Sequence, residues 1–163
     1  MTSVPGGVPT SGGETTSSQP SGYTYTLVDA IADLENAQIA IAGSQPGSDY
    51  FAMTSEAKSA SLPWYLVGQS VVVSGTSMNS IVEAEKFTFA KGSDGKFTVK
   101  ASNGKYLCNY ISGTHYSVGF YSAPSAITEA DTASEKWDIT LSNGEAVMKG
   151  EANVYLEYYS GSF

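Results

Sequence analysis

The sequence predicts an all-β domain. Three observations carry that expectation: one unit is written more than once, apolar residues alternate with polar ones, and turn dipeptides fall between the alternating runs. The repeat is the strongest of them. Its first copy reads Glu85-Lys86-Phe87-Thr88-Phe89, then Asp94-Gly95-Lys96-Phe97-Thr98-Val99-Lys100, then Gly104-Lys105-Tyr106-Leu107. Its second reads Glu135-Lys136-Trp137-Asp138-Ile139, then Asn143-Gly144-Glu145-Ala146-Val147-Met148-Lys149, then Asn153-Val154-Tyr155-Leu156. The markers recur at offsets of 50, 49 and 49 residues, and a period of that size means one supersecondary unit used again. Alternating runs argue for strands with one buried face. Asp94-Gly95, Asn103-Gly104 and Asn143-Gly144 supply residues that tolerate the positive φ of a tight hairpin.

Residues 1–22 are rich in Gly, Pro, Ser and Thr. They cannot bury enough apolar surface to fold alone and read as an arm or linker. Residues 23–163 suffice for one core and are too few for two. Tyr23-Thr24-Tyr25-Thr26-Leu27-Val28 reads as a strand resembling those that end each unit. Residues 29–36 are the one helical candidate, with Asp29 capping a single turn that places Ile31 and Leu34 inward. A fainter first copy of the unit follows. It runs through Gln38-Ile39-Ala40-Ile41-Ala42 and Asp49-Tyr50-Phe51-Ala52-Met53 to Trp64-Tyr65-Leu66-Val67 and Val71-Val72-Val73. The last copy stops early, with only Ser160-Gly161-Ser162-Phe163 where a further strand should run. Residues 23–28 are the candidate to fill that place. An edge left open would accept a strand from the arm or from another chain.

Composition narrows the partners. Net charge is −8 and there is no arginine. Phosphate and base recognition lean on the guanidinium fork, and eight scattered lysines make no basic patch. Nucleic acid and anionic membranes are therefore poor partners. No apolar run approaches the length that spans a bilayer. Cys108 is the single cysteine, so an intrachain disulfide is impossible. Met1-Thr2-Ser3-Val4-Pro5 shows neither the basic nor the apolar region of a secretory signal.

Catalysis finds little support. His115 is the single histidine, and no Gly-x-Ser-x-Gly elbow occurs to seat a serine triad. Cys108 and His115 lie seven residues apart, which invites a nucleophile–base pair. Cys108, however, alternates with Leu107 on a strand, and a free cysteine is usually a small buried hydrophobe. Glu83 with Glu85, and Glu129 with Asp131, invite paired acids or calcium. Neither has the spacing of a known calcium loop, and solvated surface charge is the better reading. Clusters that would hold zinc are lacking. The expectation is no enzyme, no metal and no cofactor.

Binding is better supported. Sugar sites stack an aromatic face on the ring and add a few orienting polar groups. The hairpin at 109–116 offers that mixture, with Tyr110 and Tyr116 to stack and Asn109 and His115 to hydrogen-bond. Tyr158 and Tyr159 repeat it in part in the last unit. The competing reading has Tyr110 and Tyr116 closing the bottom of a barrel. Phe87, Trp137, Tyr106 and Tyr155 recur at matched positions and are expected in the core.

Three units, each with paired strands, a Gly-Lys-Tyr-Leu-type strand start and a Glu-Lys-Phe or Glu-Lys-Trp strand end, resemble the β-trefoil. Residues 95–107 look like the fascin-type and ricin-type repeat. Glu135-Lys136-Trp137 sits where lectin trefoils carry Gln-x-Trp, although Glu replaces Gln in both copies and the first unit has no clear equivalent. Tyr25-Thr26-Leu27-Val28-Asp29, Asp33-Leu34 and Ile39-Ala40-Ile41-Ala42 are similar to the start of domains on surface proteins of gut Bacteroidota. The resemblance covers about residues 23–163. It implies a pseudo-threefold β-trefoil with an incomplete third unit. It also implies a lectin-like, carbohydrate-binding recognition module at a cell surface. The alternative expectation is a structural protein, such as a phage virion decoration or fibre subunit, docked into an oligomer or larger assembly by residues 1–22. Virion surface proteins often carry sugar-binding domains, so the two are compatible.

Overall fold

Alternation in the sequence becomes antiparallel pairing along the chain. The computed structural model describes residues 23–163 except 83, 84 and 144, with Ser80 described by its backbone. The readings of residues 1–22 as an arm, of Glu83 as half of an acid pair and of Gly144 as a turn residue lie outside the described residues. The fold is all-β, and its helical segments are short 3-10 turns such as Ile31–Leu34 and Pro124–Ala126. The first strands are β1 (Tyr23–Thr26), β2 (Gln38–Ile39), β3 (Ala42–Gly43), β4 (Tyr50–Ser59), β5 (Leu62–Ser74) and β6 (Ser77–Ile81). Then come β7 (Phe87–Lys91), β8 (Phe97–Ala101), β9 (Tyr106–Ser112) and β10 (His115–Tyr121). The last are β11 (Thr132–Ser134), β12 (Lys136–Ser142) and β13 (Glu145–Gly150).

One sheet runs β1-β6-β5-β4-β3. The other runs β10-β9-β8-β12-β13, with β7 joining β2 to β8 and β11 added to β9. The repeat is visible in the register of this second sheet. Phe87 opens β7 opposite Ala101 of β8 and Ile39 of β2. Trp137 stands near the start of β12 opposite Gly150 of β13 and Phe97 of β8. Each repeated aromatic thus starts a strand held on both sides. Both are sealed in the core with Phe89, Phe97, Val99, Leu107 and Met148. Phe87 stacks on Phe120 at 5.2 Å. The Trp137 indole donates to the Leu107 carbonyl at 2.9 Å, which settles the one polar atom that burying a tryptophan exposes to apolar surroundings.

The turns follow the sequence. Asp94 and Asn103 accept from the backbone N–H groups of Lys96 and Lys105 at 3.1 and 3.0 Å, with Gly95 and Gly104 at φ of 82° and 83°. These are side-chain-closed turns ending in a left-handed residue, the conformation glycine adopts without steric cost.

Four expectations need correction. Asp29 caps nothing: the turn at Ile31–Leu34 begins after Ala30 without a side-chain bond, although Ile31 and Leu34 do face the core. β1 does not fill the place left by the last unit, because it pairs with β6. Tyr155 is exposed rather than core, and Tyr106 is half-buried. Leu107 and Leu156 differ too, the first sealed and the second half-buried.

The closing residues of the chain are well placed. Leu66 and Phe163 exchange both backbone hydrogen bonds, at 2.8 and 3.0 Å, and Gly68 donates to the Gly161 carbonyl at 3.0 Å. Phe163 is buried. The segment binds across β5, which is why so short a run is ordered by backbone bonds rather than by a hydrophobic face of its own.

Candidate ligand groove

β9 and β10 form the hairpin that the sequence marks for binding. Ser112 opposes His115, Ile111 opposes Tyr116 and Tyr110 opposes Ser117. Opposed residues share a face and neighbours along a strand do not. Tyr116 therefore leaves on the face of Ile111, opposite to Tyr110. One hairpin cannot present both rings to one ligand.

Burial completes that correction. Asn109 and Tyr110 are 0% and 1% exposed. The Asn109 amide donates to the carbonyls of Ser134 and Lys136 at 2.9 and 3.1 Å, and its oxygen accepts from the Ala152 N–H at 2.9 Å. A Cβ on residue 150 would overlap this amide, so Gly150 is what lets β13 pass it. Tyr110 packs with Cys108 and Ile127, its ring edge-on to Tyr121 and the two hydroxyls 3.3 Å apart. Both residues are structural. Tyr158 is structural too, stacked on Phe51 at 5.5 Å, tilted on Phe163 at 5.2 Å and accepting at its hydroxyl from the Gly161 N–H. His115 is exposed near the hairpin end.

Tyr116 and Tyr159 are different. They are 65% and 74% exposed, and they line one open groove with Trp64, Tyr65 and Tyr155. The groove has a volume of about 440 Å³. Trp64 and Tyr65 come from β5, Tyr116 from β10, and Tyr155 and Tyr159 from the closing segment that follows β13, residues 151–163. The bonds of Phe163 and Gly161 to β5 bring the last of these beside the first. Ser162, also in the lining, accepts from the Lys58 ammonium at 3.0 Å. Asn153, at φ 58°, and Glu157 add polar groups to the wall. Lys149 lies over the Tyr155 ring at 5.6 Å. Sequence reasoning took Trp64 and Tyr65 as strand filler and Tyr155 as core. Both can line one groove because the pairing of β4 with β5 shifts register between Ala57↔Leu66 and Ser59↔Leu62, an irregularity at Trp64 and Tyr65 that breaks the strict alternation of faces.

The remaining candidates do not assemble. Cys108 opposes Gly119 deep in the hairpin, far along the strand from the turn that carries His115. Burial pushes its thiol up to about 12, away from the thiolate a nucleophile needs. Asp131 accepts from the Gly113 N–H at 2.7 Å, and Glu129 from the Thr128 hydroxyl at 3.3 Å. Glu85 is not the solvated surface charge that the sequence suggests. It is fully buried, with one oxygen accepting from the Val82 N–H at 2.7 Å and the other without a partner among the described residues. Burial raises its carboxyl above the usual carboxylate range, while the Val82 bond opposes that rise. Among the described residues no cluster of three or more His, Cys, Asp or Glu could hold a metal. A second depression of about 250 Å³ lies beside Lys91, Asp94, Lys96 and Lys136. Its charges pair internally and with neighbours, Lys136 with Asp94 at 2.6 Å and Lys96 with Glu151 at 3.2 Å.

Comparison with known proteins finds no matching family model, no matching curated protein and no matching solved structure.

Proposed function

We propose that this chain is a non-catalytic recognition module that binds carbohydrate along the aromatic groove. One observation carries the reading. Five exposed aromatic side chains from three separate stretches of sequence line a single open groove, with amide, hydroxyl and carboxylate groups among them. Exposed large aromatics gathered into one concave surface mark a binding site rather than a folding requirement. Aromatic faces suit the apolar face of a sugar ring, and the polar groups suit its hydroxyls.

The finer fold proposed is a β-trefoil with an incomplete third unit. The strand run β2-β7-β8-β12-β13 and the matched burial of Phe87 and Trp137 support it. A closed ring of six would need one more strand between β13 and β2.

Affinity electrophoresis tests the function. Gels containing neutral polysaccharides should retard the protein. Trp64→Ala and Tyr159→Ala should both run freely. Tyr159→Ala should melt within about 2 °C of the parent, since its side chain is 74% exposed, and Trp64→Ala should remain folded at the temperature of the gel. Migration unaffected by every polysaccharide would refute the reading.

A second reading, a structural subunit of an assembly, has one observation in its favour. β1 is the outer strand of its sheet, it follows directly on residues 1–22, and Tyr23, Leu27 and Val72 are exposed. Light scattering after size exclusion tests it. A defined oligomer that dissociates when residues 1–22 are removed supports assembly, and a monomer at all concentrations rejects it.

A further inference from the structure

The carbohydrate reading leaves the class of sugar open, and the groove narrows it in two respects, length and charge. The inference rests on that reading.

Length follows from the distribution of the rings. A pyranose offers two faces, so one sugar unit engages at most a pair of aromatic side chains. The groove exposes Trp64 and Tyr65 on β5, Tyr116 on β10, and Tyr155 and Tyr159 on the closing segment. Rings supplied by three stretches of chain around a space of about 440 Å³ exceed what a single unit can cover. That volume lies in the ordinary range of clefts for ligands larger than one small ring.

Charge follows from what accompanies the rings. Among the described residues of the lining, Glu157 is the one with a formal charge. Two ammonium groups touch the lining and serve the wall itself, Lys58 on the Ser162 hydroxyl and Lys149 over the Tyr155 ring. The chain has no arginine and a net charge of −8. Sulfated and uronic sugars are held by charge-assisted bonds from guanidinium or ammonium groups, and a carboxylate in the wall repels them. A carboxylate and an amide accept well from neutral hydroxyls. We propose that the groove takes an uncharged oligosaccharide of several units, and discriminates against acidic glycans.

The test uses the full chain and calorimetric titration with defined probes. These are the monosaccharide and the two- to six-unit oligomers of glucose, mannose and N-acetylglucosamine, with oligogalacturonate and heparin as acidic probes. The expected result is one neutral series whose affinity rises at least about tenfold from the single sugar to the four-unit oligomer. Neither acidic probe should bind, and Glu157→Lys should gain affinity for oligogalacturonate. A single sugar that binds as tightly as its oligomer would overturn the length inference. Binding of oligogalacturonate or heparin that Trp64→Ala removes would overturn the charge inference and leave the carbohydrate reading standing. Heat from none of the probes, with polysaccharide gels equally blank, would remove the carbohydrate reading and this inference together.

Discussion

Trp64 and Trp137 are one residue type in opposite settings. Trp137 is sealed in the core with its indole bonded to Leu107, whereas Trp64 is 41% exposed in the wall of the groove. Trp137→Ala should therefore lower stability by about 3–5 kcal/mol in denaturant titration, whereas Trp64→Ala should cost clearly less. The repeat made Trp137 readable, because a residue that recurs at a matched position belongs to the scaffold. The same argument misplaced Tyr155: it pairs with Lys149 as Tyr106 pairs with Lys100, yet Tyr106 packs against a buried cluster and Tyr155 stands exposed in the groove. Asn109 shows the limit from the other side. An amide beside aromatics looks like a ligand contact in the sequence, yet its three partners come from residues 25 to 43 positions away, which no local pattern announces. Glu85 gives a pH-dependent test. Its folded-state pKa is raised, so the folded protein holds this proton more tightly than the unfolded chain. The resulting penalty is absent below the usual carboxylate range and fully present above the raised value. Glu85→Gln should accordingly stabilise the protein at pH 7, and the gain should vanish as pH falls through that window. A gain that stays constant down to pH 3 would show that the carboxyl is not strained by burial.

Strand alternation was readable in β7, β8 and β12, whose burial alternates, and turn chemistry in the Asp94-Gly95 and Asn103-Gly104 turns that flank β8, because these are local signals. The pairing of β1 with β6 was not, since a polar-aromatic strand fits any edge of suitable length. Nor was the role of the last residues. A run such as Ser160-Gly161-Ser162-Phe163 has no periodicity, and its order comes from main-chain bonds to Leu66 and Gly68 and from burial of one ring. Phe163→Ala should lower stability by about 3 kcal/mol through loss of that ring. It should also weaken carbohydrate binding, because the same segment carries Tyr159 to the groove. If binding persists at full strength in the Phe163→Ala protein, the closing segment does not position the site.

Across the molecule, the first sheet and the closing segment supply most of the aromatic groove, and the repeated hairpins supply the core beneath it. The fold class was readable because repetition is written in order along the chain. The site was not, because Trp64, Tyr116 and Tyr159 meet only once β5, β10 and the closing segment have been brought together. A scaffold explains nothing about ligands until such a surface is built. Two tryptophans, one in the groove and one in the core, allow that surface to be observed directly. In a ¹⁵N-labelled sample the two indole N–H signals can be assigned with Trp64→Phe and followed while a neutral oligosaccharide that retards the protein is added. The account predicts that the Trp64 signal moves to saturation while the Trp137 signal, bonded to Leu107 inside the core, stays in place. Saturable binding that leaves the Trp64 signal unmoved would contradict it.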